Sequence, residues 1–130
     1  MYLQIDPSDG NPIYLQIIEQ VKKAIALGVF EVGKPIPTIR EIALELTVNP
    51  NTVAKAIKEL EREGFLKTYV GKGSFVTEKS SEINKKEGTE KVMKIIEQFI
   101  KDAEWLGLDK DNVLKLLEEK WNEKEVNTNE

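Results

Sequence analysis

Residues 38–64 read TIREIALELTVNPNTVAKAIKELEREG, which predicts two short helices joined by a tight turn. Thr38 and Glu41 have the spacing of a capping box, in which each side chain bonds the other residue's main-chain amide. Asn49 followed by Pro50 predicts a second helix start, because Asn is a favoured cap and proline fits the first helical turn. The few residues left between the helices can form only a turn. This layout is that of a helix-turn-helix.

Apolar residues recur at helical spacing in both segments, so each predicted helix has one side that can be buried. With that side inward, the second helix turns Asn51, Thr52 and Lys55 outward. Asparagine can hydrogen-bond adenine through two atoms, and threonine can contact a thymine methyl group or a phosphate. The second helix is therefore a candidate for reading DNA. The residues expected in the core are Ile39, Ile42, Ala43 and Leu46 in the first helix and Val53, Ala54, Ile57 and Leu60 in the second.

The flanking segments extend the predicted fold. Upstream, weak alternation over residues 1–5 predicts a short strand, and Asn11-Pro12 predicts the start of an amphipathic helix. Downstream, residues 65–70 and 74–76 are strand-like, with residues 71–73 (GKG) as the tip of a hairpin. The expected fold class is mainly α with a small β-wing, a winged helix-turn-helix.

A polar, charged stretch over residues 80–88 is the best candidate for a linker between two domains, residues 1–78 and 79–126. Beyond it, two amphipathic helices are separated by Gly107-Leu108-Asp109, a helix stop followed by a cap. Residues after Glu125 are expected to fray. Two short helices cannot bury both apolar stripes alone, so we expect a two-helix dimerisation tail. A second copy would cover Val92, Ile96, Phe99, Leu106, Val113, Leu114, Leu117 and Trp121.

The composition excludes several classes of protein. With neither cysteine nor histidine, the chain has no disulfide framework, no Cys-based zinc site, no thiolate nucleophile and no His-dependent catalytic triad. No nucleophile–base pair or phosphate-binding Walker loop is visible either. We therefore expect no enzyme activity, no metal and no cofactor.

The net charge of −4 is unevenly distributed. Residues 1–79 carry ten Lys/Arg and ten Asp/Glu, whereas residues 80–130 carry nine and thirteen, so the excess acidity lies in the C-terminal part. A local basic edge can still contact DNA phosphate. The N-terminus lacks the pattern of a signal peptide, and no apolar run approaches the ~20 residues of a membrane helix. The expected location is the cytoplasm, with no membrane partner.

Six segments follow one another in the order and at the spacing of a known family. They are residues 12–17 (PIYLQI), 28–30 (GVF) with Gly33, 37–41 (PTIRE), 48–53 (VNPNTV), 60–64 (LEREG) and 71–76 (GKGSFV). In these segments the chain resembles the DNA-binding domain of the GntR family of bacterial regulators. The tail, through residues 103–119, is less specifically similar to that of YtrA-like members, whose effector region is reduced to two helices.

The resemblance implies a homodimer that binds an inverted-repeat operator in double-stranded DNA and usually represses an operon. Arg40 matches the family's arginine that grips DNA, and Asn51 and Thr52 match its reading residues. Gly71 and Lys72 match the wing tip, which enters the minor groove. The candidate DNA-binding residues are Thr38, Arg40, Asn49, Asn51, Thr52, Lys55, Lys67, Gly71, Lys72 and Gly73.

Two positions depart from the family. Thr47 stands in the turn where glycine is usual, and a β-branched residue at positive φ is strained, so we expect a slightly remodelled turn. Ile57 stands where an aromatic residue is frequent, and its packing could tilt the second helix.

Other interpretations stay open from the sequence. Arg40 could be a solvated surface charge, and Asn51 and Thr52 could serve only as helix caps. A winged helix can also act as a protein–protein adaptor, which would favour an apolar or acidic reading face. Trp105 and Trp121 could line a ligand pocket, although core or dimer interface is the commoner role of such residues. Glu118, Glu119 and Glu123 fit a solvated surface better than a metal site. The identity of a small-molecule effector, and whether there is one, stays open.

Overall fold

The computed structural model describes residues 2–128, with side chains through residue 127. Its elements are α1 (Ile13–Ala26), α2 (Ile39–Leu46), α3 (Pro50–Arg62), β1 (Leu66–Tyr69), β2 (Gly73–Val76), α4 (Ser80–Trp105) and α5 (Lys110–Thr128). The chain divides into two compact units, residues 1–87 and 88–130. The first unit contains α1, the helix-turn-helix of α2 and α3, and a two-stranded wing, so the predicted fold class is confirmed.

The core of the first unit forms where α3 packs against α1, α2 and β1. Helix α3 buries Val53, Ala56, Ile57 and Leu60, which recur at three- and four-residue spacing along one side. Phe65, just after α3, is also fully buried. Burying a large apolar side chain contributes about 1.5–3 kcal/mol, so packing holds this helix in place.

Three residues predicted in this core are not fully buried, and one of them, Leu46, is half-buried and packs against the core. Ile39 stays 37% exposed, because the burial of α2 is centred on Ile42 and Ala43, beyond its first turn. Ala54 is only half-buried, and Ala56 is buried instead. The buried stripe of α3 runs through residues three and four apart, and residue 54 lies to one side of it.

The predicted N-terminal strand is wrong, because residues 2–5 form no strand; residue 1 lies outside the described part. The main chain of Asp6 is held instead by the side chain of Gln16. The Asp6 N–H donates to Gln16 Oε1 (2.7 Å), and Gln16 Nε2 donates to the Asp6 carbonyl (2.9 Å). A side chain thus satisfies main-chain groups that a strand partner would otherwise satisfy. Helix α1 begins at Ile13, one residue later than predicted, and Pro12 precedes it without a side-chain cap.

The turn between α2 and α3 keeps a left-handed residue without using glycine. Thr47 lies at φ 55° and ψ 51°, and no other non-glycine residue among those described has a positive φ. The N–H of Val48 donates to the Ala43 carbonyl (3.0 Å), which closes the end of α2. The expected remodelling of the turn is therefore wrong, and threonine carries the steric strain.

The wing is an antiparallel pair in which Tyr69 lies opposite Gly73. The turn therefore spans residues 70–72, and Gly73, predicted at the tip, is the first residue of β2. The loop before α2 also pairs with β2, since the N–H of Ile36 donates to the Ser74 carbonyl (2.9 Å). This bond ties the wing to the segment that leads into α2.

Residues 80–88, predicted as a linker, belong to helix α4. That prediction was wrong because, although the segment is mostly polar, a few of its residues along one side of the helix pack against the first unit. Ser80 is fully buried, Ile83 packs against the core, and Asn84 Nδ2 donates to the Lys22 carbonyl (3.0 Å). The first compact unit therefore extends beyond residue 78.

An ion cluster centred on Lys22 reinforces this attachment. The Nζ atom of Lys22 lies 3.2 Å from the Glu63 carboxylate and 3.0 Å from that of Glu87. Burial opposes the charge of Lys22, but hydrogen bonds to Glu87 and Glu63 outweigh burial and raise the pKa of Lys22. Lys22 is therefore charged at neutral pH and joins α1, the end of α3 and the start of α4.

The second unit contains the rest of α4 and the whole of α5. At the end of α4, the N–H of Leu108 donates to the Ala103 carbonyl (2.9 Å), and Gly107 has a φ of 85°. Asp109 then caps α5, its carboxylate accepting from the N–H of Asn112 (2.9 Å). The predicted stop and cap are thus confirmed.

Helix α5 continues to Thr128, so the fraying predicted after Glu125 is wrong for the described residues; residues 129 and 130 lie outside them. Helices α4 and α5 form no extensive contact with each other in the described part of the chain. Ala103 is the one buried side chain of the described residues of this unit.

Replacing Thr47 with glycine is expected to stabilise the protein, because glycine adopts the left-handed region without the steric cost of a Cβ atom. The free energy of unfolding should rise by about 1 kcal/mol, allowing for the entropy that glycine adds to the unfolded chain. Urea denaturation measures this change. Thr47→Ala, which keeps the Cβ atom, is the matched control and should gain much less. A glycine variant less stable than the unmodified protein would contradict the strain.

Candidate nucleic-acid interface

The front of α2 combines a cap with an exposed cation. Thr38 Oγ1 accepts from the N–H of Glu41 (3.1 Å), and the Glu41 carboxylate accepts from the N–H of Thr38 (3.2 Å). The predicted capping box is thus confirmed. Because the Thr38 hydroxyl is engaged within its own helix, the group best placed for an outside ligand is the exposed Arg40.

At the front of α3 the cap and the candidate reading residues are different side chains. Asn49 is the cap, and its Oδ1 accepts from the N–H of Asn51 (2.8 Å). The side chain of Asn51 is exposed, and Thr52 is half-buried. The cap that this helix needs is therefore supplied by Asn49, and the amide of Asn51 is available to a ligand.

Lys55 lies one turn further along α3 and contacts an aromatic ring. Its Nζ atom lies 3.9 Å from the centroid of the Tyr14 ring in the first turn of α1. Sequence reasoning missed Tyr14 as part of this surface. No local pattern could reveal it, because the two residues meet only through the packing of α1 on α3.

The wing has one lysine in its turn and one on its first strand. Lys72 is exposed in the turn, and its N–H donates to the Tyr69 carbonyl (2.9 Å), while Gly71 takes a left-handed φ of 77°. Lys67 lies on β1, with its Nζ 5.4 Å from the Tyr69 ring centroid. The Tyr69 ring meets that of Phe75 edge to face at 5.5 Å. The aromatic pair stiffens the hairpin behind the exposed turn.

Hydrogen bonds and packing bring these candidates onto one unit. The pairing of Ile36 with Ser74 joins β2 to the chain just before Thr38, so the front of α2 and the wing lie next to each other. Helix α3 packs on α2 and is followed directly by β1. The unit therefore offers two helix starts and a hairpin, with polar and cationic residues on each.

Comparison with known proteins identifies this arrangement. Residues 13–76 match the family described as "Bacterial regulatory proteins, gntR family". Over 117 residues the chain is 36% identical to the HTH-type transcriptional repressor YtrA of Bacillus subtilis (strain 168), a match that covers 90% of each protein. The chain belongs to the gntR family of bacterial regulatory proteins.

Solved structures share the fold of this gntR-family chain. A transcriptional regulator from Oenococcus oeni superposes with a TM-score of 0.76 at 29% identity, covering 90% of this chain and 97% of that one. The structure of AraR(DBD) in complex with operator ORR3 superposes with a TM-score of 0.52 at 30% identity, over 56% of this chain and 88% of that one. The resemblance to YtrA-like members is confirmed, and the named relatives are transcription regulators, not enzymes.

Several cations of the first unit of this gntR-family chain that are not DNA-binding candidates form ion pairs. They are Lys22, Lys34 and Arg62. The hydrogen bond with Arg62 lowers the pKa of Glu59 and keeps that carboxylate ionised beside the guanidinium. Lys55 and Lys67 lie against aromatic rings, which carry no net charge.

The two tryptophans in the tail of this gntR-family chain are exposed to solvent. Trp105 is 90% exposed and Trp121 62% exposed, so neither ring is enclosed as in a ligand pocket. No cluster of three or more potential metal ligands occurs among residues 2–127. In the part of the chain that the structure describes, no helix has both the length and the apolar character to span a membrane.

Asn49→Ala and Asn51→Ala are expected to differ in their effect on stability. Removing the Asn49 cap should lower the free energy of unfolding by about 1 kcal/mol, because an N–H of α3 loses its partner. Asn51→Ala removes an exposed side chain that does not cap the helix and should change stability by less than about 0.5 kcal/mol. Thermal or urea denaturation of both variants measures the difference. Equal losses would contradict the separation of cap and reading residue.

Proposed function

We propose that this chain is a sequence-specific DNA-binding transcription regulator, a repressor that binds an inverted-repeat operator as a homodimer. The observation that carries the proposal is the two-sided character of α3. Its apolar side is buried in the core, while Asn51 and Lys55 on its other side are exposed. A helix of this kind can enter the major groove of DNA without disturbing the domain that carries it.

Each part of the surface has a distinct role in this proposal. Asn51 reads a base edge, where a good two-atom contact discriminates by about 1–3 kcal/mol. Arg40 and Lys55 bind backbone phosphates and set the register of the helix on the duplex. Lys72, at the wing tip, enters the neighbouring minor groove, where a cation meets a strongly negative potential.

Apolar exposure on the second unit supports the homodimer. Phe99 and Leu117 are 47% and 53% exposed, and seven of the eight predicted interface residues are exposed; Val113 is half-buried. An apolar surface of this extent marks an interaction site. A second copy of the chain would cover it and would place two reading helices about one turn of DNA, ~34 Å, apart.

The alternative function, a protein–protein adaptor, lacks a matching surface. An adaptor would need an apolar or acidic face on α3, whereas Asn51 and Lys55 make the face polar and basic. Release from DNA would follow from a fall in concentration or from a small-molecule effector. The interface between the two copies is the site that we propose for such an effector.

Lys72→Ala is expected to weaken binding to all duplexes, because it removes a cation that meets the negative potential of the minor groove and reads no base. The log–log slope of affinity against salt should fall in magnitude by about 0.9. Asn51→Ala should instead lower the preference for the operator over random DNA. Fluorescence anisotropy with a selected operator and a random duplex measures both changes. Lys120→Ala, at an exposed residue of α5 paired with Glu123, is the control for charge and should change neither quantity. An unchanged operator preference for Asn51→Ala would exclude it as a reading residue.

Leu117→Glu is expected to convert the homodimer to a monomer, because it places a charge in an apolar interface. Sedimentation equilibrium of the full-length protein measures the association. Leu44→Glu makes the same change at an exposed leucine of α2 outside the tail and should leave the association unchanged. A Leu117→Glu protein that still dimerises with the original affinity would contradict the tail interface.

A further inference from the structure

Lys55 belongs to the helix-turn-helix, but its aromatic partner, Tyr14, lies in α1. A DNA-binding surface made only of the helix-turn-helix and the wing gives this contact no role. The Lys55 Nζ lies 3.9 Å from the centroid of the Tyr14 ring. Lys55 follows Asn51 by four residues, so the two side chains share the exposed side of α3. Tyr14 is half-buried and packs against the core at the start of α1. A ring fixed on one helix therefore holds a cation on the reading side of another.

Because Lys55 contacts an aromatic ring and not a carboxylate, its ammonium group can still attract a phosphate. Lys22 and Arg62 each lie against a carboxylate, whose negative charge offsets their attraction for a phosphate. An aromatic face attracts an ammonium group through its quadrupole and adds no net charge. The ring also occupies only one side of the ammonium, so N–H donors on the other side can reach a phosphate oxygen. Lys55 is thus restrained and keeps its full attraction for DNA.

Restraint matters because lysine has a long, flexible side chain. Fixing such a side chain on binding costs rotamer entropy, and a group that is already held loses less of it. We propose that Tyr14 is a positioning residue of the DNA-binding surface, whose ring holds the Lys55 ammonium for a backbone phosphate beside the base read by Asn51. This inference rests on the proposed function and adds to the surface a residue of α1, outside the helix-turn-helix.

A double-mutant cycle on the full-length protein tests the proposal. The probe is a duplex that the unmodified protein selects from a random-sequence pool. Lys55→Met should weaken binding about tenfold and lower the salt slope by about 0.9, as expected for one lost phosphate contact. Tyr14→Leu should weaken binding about threefold when Lys55 is present, and should add nothing in the Lys55→Met background.

Two further variants separate positioning from folding. Tyr14→Phe restores the ring and should recover most of the affinity lost in Tyr14→Leu. Tyr2→Leu makes the same substitution at another half-buried tyrosine packed on this core and should leave DNA affinity unchanged. If Tyr14→Leu does not fold, the cycle is repeated with Tyr14→Met, which fills the space with a flexible apolar chain.

Equal losses from Tyr14→Leu with and without Lys55 would overturn the proposal, because Tyr14 would then act through the fold alone. Unchanged affinity of Tyr14→Leu would overturn it as well. Failure of the unmodified protein to select any duplex would overturn the proposed function itself, and this result is distinguishable from the first two because it precedes any substitution.

Discussion

Helix α3 contacts α1, α2 and β1 at once, and the rest of the first unit depends on that packing. Val53, Ala56, Ile57 and Leu60 are almost completely withdrawn from solvent. Successive residues of a helix lie about 100° apart, so rotation by one position would carry a polar residue into the core. The core therefore determines which residues of α3 face outward, and Asn51 and Lys55 owe their exposure to it.

Local hydrogen bonds complete the arrangement that the packing of α3 sets up. Because α3 is held by its apolar side, its first N–H groups must be satisfied locally, and Asn49 supplies that bond. The wing is joined to the chain before α2 through Ile36 and Ser74. Local hydrogen bonds thus hold the start of α3 and join the wing to the chain before α2, so the elements that carry the candidate DNA-binding residues are fixed relative to one another.

The second unit has complete local hydrogen bonding but very little apolar burial. Its helices are well terminated at Gly107 and Asp109 by local hydrogen bonds, yet they bury almost none of their apolar side chains. Local caps can define where helices end, but they cannot replace a core. This contrast between complete local structure and incomplete burial is what favours a second copy as the partner.

The sequence by itself determined the features that depend on neighbours within a few residues. The capping box at Thr38, the cap of α3 at Asn49, the hairpin turn and the stop at Gly107 all belong to this group, because the hydrogen bonds that close them span two to five positions. The winged fold and most of the candidate site followed from them.

Only the tertiary structure decided the features that depend on contacts between distant residues. Residues 80–88 read as a polar linker, but Ile83 and Asn84 contact residues far away in the chain, and the segment is helical. The strand predicted near the N-terminus does not form, and the main chain of Asp6 bonds the side chain of Gln16, ten residues away. The ring of Tyr14 reaches Lys55 because two helices cross, and no spacing within either helix encodes that meeting.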